Sequence, residues 1–246
     1  MYRFVYLLPT RCYFLWNLKI PVVHDQGEAS SQRMTLVPDT FRMHVATAAD
    51  IDAVVRTLTT AFFNDPLWGP AFPDTGQRAS QAAAMWRLYA SSALRYHWLL
   101  VSDEAKAVAV WIPPGGEELT SEESNGLPRL LRQTAGQDVA EAIVTINEQF
   151  TAVRPKQPHF YLTLLGVHNH HRGKGLGMAL LAESLAHIDA LDAPAYLESS
   201  NPANLQRYEG VGFTPLEEVV VATGHVVTTM WRPAVGTRPG AGGYAR

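Results

Sequence analysis

The stretch HHRGKGLGMALL, residues 170–181, combines the residue types that bind anions through the backbone. Its three glycines leave the main chain uncovered, and Arg172 and Lys174 bring positive charge beside it. The apolar residues that follow predict a helix, and the first N–H groups of a helix have no partner within it. The stretch therefore predicts a diphosphate site at a helix start. The alternative is a glycine-rich connection that binds nothing.

Two other phosphate-binding motifs fail on spacing. A dinucleotide fingerprint, G-x-G-x-x-G, that starts at Gly173 or Gly175 needs a third glycine where Met178 or Leu180 stands. A Walker loop needs serine or threonine after its lysine, and the residue after Lys174 is a glycine. Of the three anion-binding motifs, only the helix start agrees with the residues.

The composition bounds the classes of protein and partner. A chain of 246 residues with 47 % hydrophobic and 17 % charged residues predicts a packed globular protein. A net charge of −3 argues against nucleic acid as a partner. No apolar run is long enough to span a bilayer, so a membrane is not expected as a partner either. The single cysteine, Cys12, allows neither an intrachain disulfide nor a thiolate zinc site, and we expect a cytoplasmic protein.

The hydrophobic spacing predicts an α/β domain with a mixed sheet over residues 40–233. Residues 1–38 are expected to be a poorly ordered extension, and residues 234–246 a disordered tail. Helices are predicted over 51–62, 80–94, 121–152 in two pieces divided near Gly136, 175–190 and 203–210. Strands are predicted over 97–102, 107–112, 160–167, 195–200, 213–222 and 225–232.

Two motifs in order resemble the GCN5-related N-acetyltransferases, the GNAT superfamily. The first is R-x-x-G-x-G at residues 172–177, between strand and helix, and the second is LESSNPANLQRYEGVGF at 197–213. Segments that resemble the puromycin N-acetyltransferase-like group are AVVRTLTTAF (53–62), AVAVWIPP (107–114), RPKQP (154–158), GKGLG (173–177) and YLESSNP (196–202). The resemblance spans about residues 42–232 and is patchy over 65–100 and 115–150. It implies the GNAT fold, a mixed, mostly antiparallel sheet flanked by helices and splayed at an acetyl-CoA site.

The resemblance implies an acyltransferase that moves an acetyl group from acetyl-CoA to a primary amine of a small molecule. Direct attack in a ternary complex is implied, without a metal, in a monomer or homodimer. An aminonucleoside-type antibiotic is one candidate acceptor. The alternative is a non-catalytic acetyl-CoA sensor or partner-assisting module, and the retained Tyr208 favours the enzyme.

The resemblance also assigns donor contacts. The end of the strand at 160–167 is implied to pair with the pantetheine arm. A backbone N–H near Val167 is implied to stabilise the oxyanion, and a bulge that Gly166 makes easy would expose it. The residues implied to hold acetyl-CoA are Leu165, Gly166, Val167, Arg172, Gly173, Lys174, Gly175, Leu176, Gly177, Met178 and Asn204. Asn204 also fits an ordinary residue at a helix start.

Tyr208 matches the family's general acid, because a phenol suits a leaving thiolate. The alternative is an aromatic that packs on Phe213. No motif identifies the base, and the candidates are Glu198, His159 and Tyr161, of which Glu198 is taken as catalytic.

Aromatic and acidic side chains on the acceptor side would suit a planar, cationic amine. They are Asp65, Trp68, Phe72, Asp74, Trp86, Tyr89 and Trp111. Asp65, Trp68 and Trp111 are predicted to contact substrate, whereas Trp86 and Tyr89 are predicted to lie in the core. His168, His170 and His171 lack nearby acids and are expected to be solvated rather than metal ligands.

Overall fold

The computed structural model describes residues 41–238, so the predicted N-terminal extension and residues 239–246 lie outside the described part. Seven strands form one sheet in the order β1-β2-β3-β4-β5-β7-β6. The strands are β1 Met43–Val45, β2 Leu99–Ser102, β3 Ala107–Ile112, β4 Phe160–Val167, β5 Ala195–Ser199, β6 Thr214–Val220 and β7 Val226–Arg232. Only β4 and β5 pair in parallel, which confirms the predicted mixed, mostly antiparallel sheet.

The helices are α1 Ile51–Phe62, α2 Trp68–Ala71, α3 Arg78–Ala93, α4 Ser121–Ala135, α5 Gln137–Val153, α6 Leu176–Ala190 and α7 Leu205–Glu209. Every helix except the short α2, which was not predicted, lies close to a predicted one. Gly136 divides α4 from α5 as expected, with a φ of +93° that an L side chain rarely adopts. None of these helices is both long and apolar enough to cross a membrane.

The sheet is covered on both faces. Alternate residues of β2 point to opposite sides, so Leu99 and Val101 belong to the core under α1, α3, α4 and α5. Leu100 belongs to the second core, where α6 covers the other face. Order also extends past the predicted domain end, because Val235–Thr237 forms a 3-10 turn and Arg238 donates to Asp189 over 2.6 Å.

The sheet opens where its two parallel strands part. Pairing between β4 and β5 stops at Leu162 and Leu197, although both strands continue. From residue 163 onward β4 pairs, among the described strands, only with β3, so its other edge has N–H and C=O groups that no described strand pairs. This is the predicted splay.

The position of the bulge corrects one prediction. The register between β3 and β4 shifts so that Thr163 is the extra residue, whereas Gly166 pairs regularly with Val108. Gly166 serves another purpose, since a Cβ there would lie 3.0 Å from the Cβ of Ala61. The glycine allows α1 to approach β4 closely; it does not create the distortion.

Candidate active site

A cleft lies at the parting of β4 and β5 and has a volume of about 860 Å³, including its open mouth. One wall is the stretch of β4 from Tyr161 to Leu165, and another is the end of β5. Residues of α1, α3, α5 and α7 complete the walls. The splay therefore produces a concave site next to unpaired backbone.

The start of α6 has uncovered amides. None of the backbone N–H groups of residues 173–178 donates a hydrogen bond within the part of the chain that the structure describes. Gly173 and Gly175 both have a φ of +76°, a conformation that requires glycine. A Cβ on Gly177 would lie 2.8 Å from Cγ2 of Val167, so α6 begins in close contact with the end of β4. These residues fit the diphosphate of acetyl-CoA, because consecutive amides at a helix start have no hydrogen-bond acceptor among the described residues.

Two of the residues predicted to bind acetyl-CoA make hydrogen bonds within the protein. The guanidinium of Arg172 donates to the carbonyl of Ala61 near the end of α1, so it fixes the loop that enters α6. Lys174 remains exposed on that loop. Asn204 lines the cleft, and its Oδ1 accepts a hydrogen bond from Arg207 over 2.8 Å.

The three histidines form a ring cluster near this loop. The rings of His168 and His170 lie 5.2 Å apart, and those of His168 and His171 lie 5.8 Å apart. Burial and the neighbouring positive groups lower the pKa of His168. Among the described residues no group of histidine, cysteine and acidic side chains could hold a metal ion.

Tyr208 lies on α7 with its ring against Phe213, 6.2 Å between centroids, and its side chain lines the cleft. Its hydroxyl makes no hydrogen bond within residues 41–238. Burial, helped by the nearby carboxylate of Asp65, raises the pKa of Tyr208 to about 12. The phenol therefore keeps its proton at neutral pH and is available as a donor. Both sequence interpretations agree with the geometry, since the ring packs and the hydroxyl is free.

Glu198 lies on β5 and lines the cleft. Its Oε1 atom is buried and has no hydrogen-bond partner in the described chain. Burial raises the pKa of Glu198 from 4.5 to about 7, against the opposing effect of the Arg154 guanidinium. The carboxyl group can therefore gain or lose a proton near neutral pH.

The two other base candidates are less suited. His159 does not line the cleft, and its Nδ1 lies 2.6 Å from the carbonyl of Gln157. Tyr161 lines the cleft, but burial raises its pKa well above 10.0, so it holds its proton. Glu198 is the candidate that combines position with an exchangeable proton.

An ion pair at the cleft was missed from the sequence, formed by Glu118 in the cleft wall and Arg154 beside it. Arg154, directly after α5, donates from Nη2 to Oε2 of Glu118 over 2.9 Å and lies 3.8 Å above the ring of Tyr161. Glu118, in the loop before α4, also accepts a hydrogen bond from Thr163 at the bulge. The RPKQP segment included Arg154 without suggesting a role, and nothing distinguished Glu118 from its acidic neighbours.

Two of the three predicted substrate residues line the cleft, Asp65 and Trp68. The Asp65 carboxylate also accepts from the N–H groups of Leu67 and Trp68, at 3.0 and 3.1 Å, and from Ser200 Oγ at 2.7 Å. It thus joins the start of α2 to the end of β5. The prediction for Trp111 is wrong, because its side chain is 0 % exposed in the core beneath α6 and does not line the cleft.

The other residues predicted on the acceptor side divide between the cleft wall and positions away from it. Trp86 is 2 % exposed, packs edge-on against Trp68 and forms part of a cleft wall. Tyr89 accepts a hydrogen bond from Asn147 over 2.9 Å and also lines the cleft. Phe72 is fully buried and Asp74 is exposed, and neither lines the cleft.

Comparison with known proteins adds an independent assignment. Residues 141–232 match the family described as an acetyltransferase (GNAT) domain. The fold is similar to the structure of histone acetyltransferase HPA2 and related acetyltransferase from Corynebacterium glutamicum. That likeness has 25 % identity and a TM-score of 0.60, and covers 81 % of this chain and 98 % of the other.

Two more distant structures share the fold. Arylalkylamine N-acetyltransferase 2 from Aedes aegypti is 17 % identical with a TM-score of 0.57, covering 79 % of this chain and 99 % of the other. An agmatine N-acetyltransferase is 13 % identical with a TM-score of 0.54, covering 78 % and 98 %. The matched segment 141–232 contains β4, α6, Glu198 and Tyr208. Residues 141–232 are thus similar to a GNAT acetyltransferase domain, the fold matches that of GNAT neighbours, and these findings support an acyltransferase enzyme.

Proposed function

We propose that this protein transfers an acetyl group from acetyl-CoA to the primary amine of a small molecule, by direct attack in a ternary complex. The observation that carries the proposal is the cleft at the parting of β4 and β5, where Glu198 and the Tyr208 hydroxyl line one concave site. Attack by the amine needs a group that can accept a proton, as Glu198 can. Departure of the thiolate needs a group that holds a proton to donate, as Tyr208 does.

The unpaired edge of β4 beyond Leu162 would hold the pantetheine arm, since its N–H and C=O groups face no other strand. The amides of residues 173–178 would hold the diphosphate, with Lys174 adding charge nearby. Bound acetyl-CoA supplies the acetyl thioester. Leu165, Gly166 and Val167 form the end of this unpaired edge, at the end of β4.

Glu198 would accept the proton that the attacking amine must lose. Its pKa of about 7 suits this step, because the carboxylate is available at neutral pH yet basic enough to hold a proton. Tyr208, with a pKa of about 12, remains protonated and would donate a hydrogen bond to the leaving sulfur. A thiolate, with a pKa near 8.5, is less basic than this phenolate. Hydrogen bonding, rather than complete proton transfer, is therefore the larger part of the role.

The acceptor wall supports an amine on a flat, apolar body. Phe62, Trp68 and Trp86 form an aromatic group, in which the ring centroid of Trp86 lies 5.2 Å from that of Phe62 and 5.3 Å from that of Trp68. Aromatic faces bind flat rings and cations, and the Glu198 carboxylate lies in the same cleft to receive the amine. An aminonucleoside-type compound remains one candidate, and an arylalkylamine has the same combination of features.

A thiol-release assay over a panel of amines tests the proposal. The panel contains aminonucleosides, arylalkylamines, aminoglycosides, polyamines and a lysine peptide, with the acetylated product verified by mass. We expect release with amines that carry a flat ring and little with polyamines. Tight acetyl-CoA binding without release for any amine would contradict the enzyme and favour an acetyl-CoA sensor.

A further inference from the structure

Two half-buried charges of opposite sign, Glu118 in the cleft wall and Arg154 beside it, have no direct part in the proposed reaction. Arg154 and Glu118 form an ion pair of 2.9 Å, and their side chains are 20 % and 22 % exposed. Withdrawing even part of such a pair from water costs free energy that the ion pair only partly returns. The pair therefore calls for a reason beyond stability.

Both partners are held firmly in place. The backbone of Glu117 is bonded to Tyr96 in both directions, its N–H donating to Oη at 2.8 Å and its carbonyl accepting from Oη at 3.1 Å. The next residue, Glu118, reaches the bulge residue Thr163 and Arg154. Arg154 in turn lies over the Tyr161 ring at 3.8 Å. The two charges thus have fixed positions beside β4.

The pair is incomplete in a way that points to Glu198. Arg154 uses Nη2 for Glu118, while its Nε is buried without a hydrogen-bond partner among the described residues. The same is true of Oε1 of Glu198, a buried acceptor. A buried donor on a cation and a buried acceptor on a carboxyl group are complementary.

Several groups face Glu198 from the surrounding elements. Tyr161 lies on β4, and Tyr196 lies two residues earlier on β5 with its hydroxyl buried and unpartnered in the described chain. Burial raises the pKa of both tyrosines, so they stay neutral. The negative charge of Glu217 on β6 also raises the pKa of Tyr196. After burial, the largest effect on the pKa of Glu198 comes from Arg154, which lowers it. The Tyr161 and Tyr196 hydroxyls also lower it, whereas the Glu118 carboxylate raises it.

We propose that Arg154 and Glu118 are positioning residues that together set the charge state of Glu198, Arg154 favouring the carboxylate and Glu118 restraining Arg154. The role rests on the proposed function, in which Glu198 is the base. Without Glu118, Arg154 would pair fully with Glu198 and make it a weak base. Without Arg154, Glu198 would stay protonated at neutral pH. The pair keeps the base between these extremes.

The proposal predicts shifts of opposite sign. Arg154→Met raises the pKa of Glu198 and Glu118→Gln lowers it, each by about one unit or more, as expected for loss of a nearby charge. Glutamine keeps an oxygen that can accept from Thr163, so the second variant preserves that hydrogen bond. The midpoint is measured directly by NMR titration of ¹³C-labelled glutamate carboxyl groups, with the Glu198 signal assigned by its loss in Glu198→Gln. The acidic limb of the dependence of kcat/KM on pH is measured for the same variants.

Two control variants separate charge from structure. Arg154→Lys keeps the positive charge and leaves the midpoint near that of the unmodified protein. Arg87→Met removes a cation from an exposed ion pair with Asp52 and leaves the titration midpoint of Glu198 unchanged. Shifts of the same sign in Arg154→Met and Glu118→Gln, or none in either, would overturn the proposal. Opposite shifts by NMR with an unchanged kcat/KM limb would uphold the charge control and reject Glu198 as the base. If Arg154→Met does not fold, a lowered midpoint in Glu118→Gln upholds the proposal, and an unchanged one overturns it.

Discussion

Glu198→Gln is expected to stabilise the protein at alkaline pH while it removes the proposed base. The reason is that the folded protein buries Oε1 without a partner, which penalises the ionised carboxylate. Glutamine has nearly the same shape and carries no charge. A residue kept in spite of a stability cost is expected at a functional site.

The size of the effect follows from linkage. Folding raises the pKa of Glu198 from 4.5 to about 7, so the group favours the folded state at low pH and loses this contribution as pH rises through about 7. Each tenfold change in proton affinity is worth about 1.4 kcal/mol. The difference in free energy of unfolding between Glu198→Gln and the unmodified protein should therefore increase in favour of the variant by roughly 2–3 kcal/mol from about pH 5 to about pH 8.5.

Urea unfolding at both pH values measures this difference. Glu183→Gln is the matched control, because it makes the same chemical change on an exposed position of α6 and should leave the difference near zero. The reasoning would be refuted if Glu198→Gln were less stable than the unmodified protein at the higher pH. A difference that did not change between the two pH values would refute it equally.

Three further outcomes are expected. Tyr208→Phe should lower kcat by about 10²-fold or more while calorimetry shows unchanged acetyl-CoA affinity, and an unchanged kcat would remove Tyr208 from the chemistry. Gly175→Val should weaken acetyl-CoA binding, because a side chain at a φ of +76° strains the loop and obstructs its amides. Gly224→Val, at a φ of +80° in the turn between β6 and β7, carries similar strain and should leave the acetyl-CoA affinity unchanged. Equal losses of affinity in the two variants would contradict a diphosphate site at the start of α6. Arg232→Met should cost about 3 kcal/mol in urea unfolding, because a 6 % exposed guanidinium that donates twice to Asp189 is lost, and a cost under about 1 kcal/mol would contradict that role.

Local pattern was enough to predict the elements. The spacing of apolar residues and the glycine at 136 predicted α4, α5 and β4 with nearly correct bounds, because helix and strand periods are properties of short segments. The glycine-rich start of α6 was predictable for the same reason, since free amides and positive φ values are local features.

What failed depends on which face a side chain takes and on distant partners. Trp111 was placed in the site because it is aromatic, but a one-residue alternation along β3 puts it under α6. Glu118 and Arg154 are far apart in sequence and meet only because a loop and a helix end both reach β4. Gly166 looked like a bulge former, and only the approach of α1 explains it.

The account depends most on the uncovered amides at the start of α6. Their ¹H–¹⁵N NMR signals, for residues 173–178, should be followed during titration with acetyl-CoA and, separately, with acetyl-pantetheine, which lacks the diphosphate. We predict large changes in these signals with acetyl-CoA and small ones with acetyl-pantetheine. Saturable binding of acetyl-CoA that left these six amide signals unmoved would contradict the account.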